Sequence, residues 1–74
     1  MHITVRYKTN EAGRAKALKD CKAWLNTDYD RILNVLREAA REGATAEFMT
    51  MALGLQGIQG YPARELVQYA IETK

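Results

Sequence analysis

Only one segment of this chain alternates between apolar and polar residues with the period of two that marks a half-buried β-strand. In residues 2–8 the apolar members share one side and the polar members the other: Ile3, Val5 and Tyr7 against His2, Thr4, Arg6 and Lys8. A single strand cannot satisfy its own backbone hydrogen-bonding groups, so it requires a second strand. Three partners stay open: a hidden strand within residues 45–53, the same segment of a second copy, or a foreign protein.

The small size of the chain favours pairing with a second copy or with a foreign protein over a hidden strand. Its 74 residues make one domain, residues 1–74. A chain of this length buries only about 60–65% of its unfolded surface, and small chains usually gain stability from disulfides, a metal or a second subunit. Cys21 is the only cysteine and there is no Cys/His cluster, which excludes an internal disulfide and a zinc site. The sequence therefore predicts a homodimer with the N-terminal strand paired across it.

Two amphipathic helices are predicted after the strand. The first covers residues 11–25, and Thr9 or Asn10 can cap it. The second starts at a cap on Thr27 and stops at Gly43. Its apolar arc spans roughly 160°, which is wider than a surface helix needs. This width predicts that the second helix forms the centre of the core.

Two further helices are predicted in the second half of the chain. Thr45 can cap a short one over residues 45–53, although the same residues also fit a short strand. After a glycine-rich loop, Pro62 suits the first turn of a last helix, which has the clearest amphipathic pattern in the chain. The predicted fold class is α+β and mostly α, with one N-terminal strand followed by four helices, the third of them short.

Several large apolar side chains are assigned to the interior by their helical spacing. Phe48 belongs to the predicted buried side of the third helix, and Met49 and Met51 are expected to fill gaps in the core. Trp24 shares its helix face with other apolar residues, which predicts a core or interface anchor.

Positive charge is concentrated near the N-terminus. Residues 1–26 hold six basic and two acidic side chains, for a net charge of +4, whereas residues 27–74 hold five basic and seven acidic ones, for −2. A basic segment can bind phosphate groups, dock on an acidic protein or stay solvated. The candidate nucleic-acid-binding or partner-binding residues lie on the polar side of the strand and on the first helix: Thr4, Arg6, Lys8, Arg14, Lys16, Lys19 and Lys22.

The order of one short strand and two helices over residues 2–43 resembles the ribbon-helix-helix family of DNA-binding dimers. The resemblance is carried by the strand ITVRY, the helix containing ALKDCKAWL, the break NTD and the helix YDRILNVLREAA. It implies that the strand pairs antiparallel with its twin and enters the major groove, where Thr4 and Arg6 would face base edges. The chain departs from the family at its break, which lacks glycine, and at Asp28 and Asp30, which would repel phosphate.

No arrangement of residues in the sequence supports catalysis, and the protein is expected not to be an enzyme. The chain has no serine, and the apolar neighbours of Cys21 predict a small buried side chain rather than a nucleophile. No cofactor, metal or small-molecule substrate is expected. The absence of a long apolar stretch, a signal-like N-terminus and a disulfide framework predicts a cytoplasmic protein that spans no membrane.

Two functional hypotheses stay open. The first is a small nucleic-acid-binding regulatory protein that acts as a dimer and contacts duplex DNA through the N-terminal strand and the lysine-rich first helix. The second is a small protein-binding module or inhibitor that docks on an acidic host protein, of a size common among phage and mobile-element accessory proteins.

Overall fold

Four α-helices make up most of residues 7–74, the part of the chain that the computed structural model describes. In chain order they are α1 (Glu11–Leu25), α2 (Tyr29–Arg41), α3 (Ala46–Leu55) and α4 (Tyr61–Glu72), with a 3-10 turn over Asn26–Asp28 between α1 and α2. The helical alternative for residues 45–53 is therefore the right one. No helix within residues 7–74 is long and apolar enough to cross a membrane.

The predicted α+β fold class is wrong, because residues 7–74 are helical and contain no β-strand. Tyr7 and Lys8, the last two residues of the predicted strand, pack against helices of their own chain. The rest of that strand, residues 2–6, lies outside the described residues. The Tyr7 ring stacks on the ring of Tyr61, with 5.5 Å between their centroids. Because its own chain covers this aromatic side chain, Tyr7 needs no sheet to bury it.

Two predicted helix caps are confirmed. The Asn10 side-chain oxygen accepts a hydrogen bond from the backbone N–H of Gly13, 3.0 Å away, at the start of α1. The Thr45 hydroxyl oxygen accepts one from the backbone N–H of Phe48, 3.1 Å away, at the start of α3. Each bond satisfies a backbone donor that the first turn of a helix leaves free.

The predicted cap on Thr27 is wrong, whereas the predicted stop at Gly43 is confirmed. Residues 26–28 form the 3-10 turn, and Tyr29 donates its backbone N–H to the Asn26 carbonyl, so α2 begins without a side-chain cap. Gly43 follows the end of α2 with a φ of +94°, a left-handed conformation that favours glycine.

The centre of the core is α4, rather than α2 as predicted. α4 contacts each of the other three helices, while α1 and α3 do not contact each other. Five residues of α4 are buried: Pro62, Ala63, Leu66, Val67 and Ala70. The broad apolar arc of α2 is only partly covered, since Val35 is 55% exposed. The width of that arc was therefore a poor guide to how many helices pack on it.

Two large side chains predicted for the core are exposed, and Trp24, predicted as a core or interface anchor, does not lie in the core. Trp24 at the end of α1 and Phe48 and Met51 on α3 keep more than half of their surface in solvent. Met49 is buried as predicted. The reason is that α3 packs on the core through one narrow stripe, Met49 and Leu53, and no other described element covers the rest of its surface.

Candidate interaction surfaces

Three lysines form a positive face on α1, which we call the α1 lysine face and define by Lys16, Lys19 and Lys22. All three are exposed and make no ion pair within the described chain. The Lys16 ammonium lies 5.2 Å from the centre of the Tyr7 ring, and that of Lys22 lies 5.9 Å from the centre of the Tyr29 ring. Cation–π contacts of this kind hold a lysine near an aromatic ring without neutralising its charge.

Arg14, another predicted binding residue, has a different environment one turn away. Its guanidinium donates a hydrogen bond to the Glu72 carboxylate, and its Nε lies 3.2 Å from the Glu65 carboxylate as an ion pair. The hydrogen bond from Arg14, supported by one from Gln68, lowers the pKa of Glu72 below its usual value. Arg14 therefore links α1 to α4 with its charge neutralised by two carboxylates.

The other predicted binding residues lie at the N-terminus. Lys8 is exposed, and its backbone carbonyl accepts a hydrogen bond from the Tyr61 hydroxyl, 3.4 Å away. Thr4 and Arg6, which would face base edges in a ribbon-helix-helix dimer, lie outside the described residues. Among the described candidates, the structure brings Lys16, Lys19 and Lys22 together on one surface.

The segment before α1 packs closely on that helix. The Tyr7 hydroxyl donates a 2.6 Å hydrogen bond to the Asp20 carboxylate, and burial together with this bond raises the pKa of Tyr7 to about 12. The Lys8 carbonyl lies so close to Gly13 that a Cβ atom at position 13 would sit 1.7 Å from the carbonyl oxygen. Glycine at this position is thus required by the close approach of the backbone of residue 8.

Cys21 is a structural side chain. It is fully buried between α1 and α4, and its thiol donates to the Pro62 carbonyl oxygen at 3.4 Å. Burial, with a smaller contribution from the charge of Asp20, raises the pKa of the thiol to about 11. A thiol that stays protonated at neutral pH and faces no solvent is a poor nucleophile.

The outer face of α3 carries a row of exposed apolar side chains that the sequence reasoning placed elsewhere. Phe48, Met51 and Leu55 are 62%, 68% and 86% exposed. Their spacing of three and four residues aligns them along one side of the helix. We call this row the α3 ridge.

An open groove runs beside the α3 ridge, between α3 and α4, with a volume of about 830 Å³. We call it the α3–α4 groove. Small residues of α3 line one side of it, namely Ala46, Thr50 and Gly54, and α4 contributes Arg64, Val67 and Gln68 to the other. Met51 and Leu55 belong to both the ridge and the groove. The ridge and the groove together form what we call the α3 surface.

A smaller groove of about 160 Å³ lies on the opposite side of the ridge, between α2 and α3. The exposed Val35 of α2 and the half-buried Ala52 of α3 line it. The exposed Val35 therefore adds apolar surface from α2 beside the outer face of α3, whereas the exposed side chains that α4 contributes on the other side, Arg64 and Gln68, are polar.

The signal for this surface was present in the sequence. Residues 48, 51 and 55 share one side of a helix, and residues 49 and 53 share another, so α3 is apolar around most of its circumference. Such a helix is normally covered on several sides. The helical spacing assigns the residues of these rows up to Leu53 to the core and leaves Leu55 in the glycine-rich loop, because the sequence carries no measure of how much of α3 the rest of the chain covers.

The described residues hold no group of three or more His, Cys, Asp and Glu side chains that could bind a metal ion. No protein-family model matches this chain, and no curated protein or solved structure matches it either. Its function therefore has to be argued from the α1 lysine face and the α3 surface.

Proposed function

We propose that this protein is a small, non-catalytic protein-binding module whose docking site is the α3 surface. The observation that carries the proposal is the row of Phe48, Met51 and Leu55, each more than 60% exposed and aligned beside a groove. Single exposed apolar residues are ordinary on protein surfaces, whereas a contiguous apolar patch usually marks an interaction site.

The shape of the α3 surface suits an amphipathic helix as the bound element. Helix-in-groove recognition places apolar anchors at spacings of three, four and seven residues into a hydrophobic groove. Ala46, Thr50 and Gly54 have short side chains, so an incoming helix can approach the backbone of α3 closely. Glu47 and Arg64 at the groove supply polar partners around this apolar centre.

The proposal is tested by selecting binders from a displayed library of amphipathic helical peptides on the immobilised protein. Selected peptides should lose most of their affinity for the Met51→Glu variant, because a carboxylate in the middle of the ridge would be desolvated by the bound peptide. The matched control is Ala23→Glu, which adds the same charge at an exposed position of α1. Binders that tolerate Met51→Glu as well as Ala23→Glu would contradict the proposal.

A second candidate function is the binding of a polyanion such as duplex DNA through the α1 lysine face. It is favoured by the contrast between Arg14, which two glutamates neutralise, and Lys16, Lys19 and Lys22, which pair with no described carboxylate. Contacts from lysine to phosphate give an affinity that falls steeply with salt concentration.

This candidate is tested by measuring duplex-DNA affinity against salt for the wild type and for a Lys16→Gln, Lys19→Gln, Lys22→Gln triple variant. If all three lysines contact phosphate, the triple substitution should reduce the slope of log affinity against log salt by about three units, roughly one for each contact. The absence of any binding at low salt would eliminate this function.

A further inference from the structure

We infer that the partner of the α3 surface is a second copy of this chain, paired with the first about a two-fold axis. The inference rests on the proposed function, since it names the occupant of the same docking surface. Three features of the described residues carry it: the shape of the surface, the arrangement of its charges and its position relative to α1.

The α3 surface is complementary in shape to itself. Its ridge, Phe48, Met51 and Leu55, projects from α3, and its groove lies directly beside that ridge. Two helices pack well when the ridge of one enters the groove of the other. In a two-fold interface the same patch is used by both subunits, so each ridge fills the groove of the other copy. A single pairing thus covers both ridges and both grooves.

The charges at the groove favour a second copy over a partner with a single sign of charge. Glu47 and Arg64 are the charged residues lining the groove, and together they are neutral. Glu47 lies in the first turn of α3, far from the short connection of residues 56–60, whereas Arg64 lies in the first turn of α4, just after that connection. Short connections usually join antiparallel helices, an arrangement that places Glu47 and Arg64 toward opposite ends of the groove that both line. A two-fold axis reverses the direction of the second copy, and each Glu47 then faces Arg64 of the partner subunit.

The position of α1 is compatible with this pairing. α1 and α3 both pack on α4 and do not contact each other, so a partner on α3 leaves the α1 lysine face uncovered. An acidic protein would be attracted to that positive face rather than to the neutral groove. A second copy would in addition bury exposed apolar surface that no described part of this chain covers.

The test is sedimentation velocity of the full chain over protein concentrations from low micromolar to millimolar. The wild type should show a reversible monomer–dimer equilibrium. Met51→Glu should raise the dimer dissociation constant by about a hundredfold or more, because it places two carboxylates near the two-fold axis. Ala23→Glu on α1 should leave the dissociation constant unchanged. Circular dichroism checks that each variant keeps the helical content of the wild type.

A charge exchange tests the arrangement of the two copies. Glu47→Arg and Arg64→Glu should each weaken the dimer about tenfold, because each brings like charges together across the axis. The double variant, Glu47→Arg with Arg64→Glu, should recover most of the affinity. Failure of the double variant to recover, with both single variants weakened, would overturn the two-fold arrangement.

The failure of this inference can be told apart from the failure of the proposed function. A wild type that stays monomeric at every concentration overturns the second copy as the partner, while helical peptides that bind and are lost with Met51→Glu would still support a docking site on α3. A dimer that Met51→Glu leaves intact overturns the inference by locating self-association elsewhere.

Discussion

The two sides of α4 are covered in different ways. On the α1 side, Tyr7 stacks on Tyr61 and Arg14 bonds with Glu65 and Glu72, so specific polar and aromatic contacts close the junction. On the α3 side the junction depends on buried apolar packing, and a groove of about 830 Å³ stays open beside it.

The difference indicates where a partner is needed. The α1 side uses its own chain to cover Tyr7 and turns its lysines, together with Trp24, toward solvent. The α3 side turns Phe48, Met51 and Leu55 outward, and no described part of the chain covers them. Removing such apolar surface from water lowers the free energy, so a contiguous exposed patch usually marks a binding site. The α3 side is therefore the better candidate for a binding site.

The largest expected difference in unfolding free energy is between alanine substitutions at two leucines, one on each helix. Leu66 on α4 is fully buried, and Leu66→Ala should cost about 2–5 kcal/mol of unfolding free energy because it leaves a cavity. Leu55 on α3 is 86% exposed, and Leu55→Ala should change the stability of the monomer by less than about 0.5 kcal/mol. Urea unfolding at low protein concentration measures both. Equal losses would mean that the α3 side is already closed within one copy.

Replacing a helical glycine by alanine should have opposite effects on stability on the α1 side and on the α3 side of α4. Gly13→Ala should destabilise the protein by about 1–3 kcal/mol, because the added Cβ would collide with the Lys8 carbonyl oxygen. Gly54→Ala should stabilise the monomer by up to about 1 kcal/mol, because its Cβ would meet only the Gln59 side chain, at 4.0 Å, and alanine favours a helix. Thermal unfolding of both variants checks the sign, and a stabilising Gly13→Ala would show that residue 8 does not pack there.

Alkaline pH should lower the free energy of unfolding, because two titrating groups are held at the α1 side of α4. The pKa of Cys21 is raised to about 11 and that of Tyr7 to about 12, so both groups contribute stability below their unfolded pKa values. That contribution is lost as the pH rises through the folded values, which puts the loss between about pH 9 and 12.

Tyr7→Phe separates the two contributions, because it removes the bond to Asp20 and leaves Cys21 in place. In this variant the loss of stability at the highest pH values should disappear. In a titration of tyrosine absorbance, the step at the highest pH should also be missing. If the wild type titrates all its tyrosines together near pH 10, Tyr7 is not held on α1.

The smallest effect is expected from two arginines on opposite sides of α4. Arg14→Gln should lower the free energy of unfolding only slightly at neutral pH, since its side chain and that of Glu72 are 32% and 44% exposed and solvent screens the pair. Arg64→Gln should cost nothing measurable in the monomer, because Arg64 makes no ion pair within residues 7–74.

Measurements at low pH show whether the charge of the Arg14–Glu72 pair accounts for the effect of Arg14→Gln. The folded pKa of Glu72 is lowered, so the stability from this pair is present above the unfolded pKa and is lost as the pH falls through the folded value. The cost of Arg14→Gln in urea unfolding should therefore disappear well below pH 4, the usual range of a glutamate. A cost that persists in acid would mean that packing of the Arg14 side chain, rather than its charge, stabilises the junction.

The helices and two of their caps were predictable because the interactions that form them are local. Asn10 and Thr45 each bond a backbone N–H three residues further along, and the spacing of apolar residues in α4 gives one face that is fully buried. The expectation of a strand fails at its described end, Tyr7 and Lys8, because alternation over a few residues fits any segment with one covered side, and Tyr7 is covered by Tyr61 rather than by a sheet.

The candidate sites were harder to predict. Lys16, Lys19 and Lys22 follow helical spacing, and the structure places them on one exposed face. The neutralisation of Arg14 was hidden, because its partner Glu72 is 58 positions away in the chain. The α3 ridge was missed because Phe48 and Met51 resemble core residues in type and spacing, and because Leu55 lies in a segment predicted as a loop. Only the packing of α3 on α4 distinguishes Met49 from Met51.

The positions of the helices and two of their end caps follow from local sequence, because they depend on side chains within one or two turns of each other. The tertiary structure decided that α4 is the central helix, that Arg14 is neutralised and that one row of apolar residues on α3 faces outward. Burial depends on neighbours distant in the chain, and the described residues supply none for the outer face of α3.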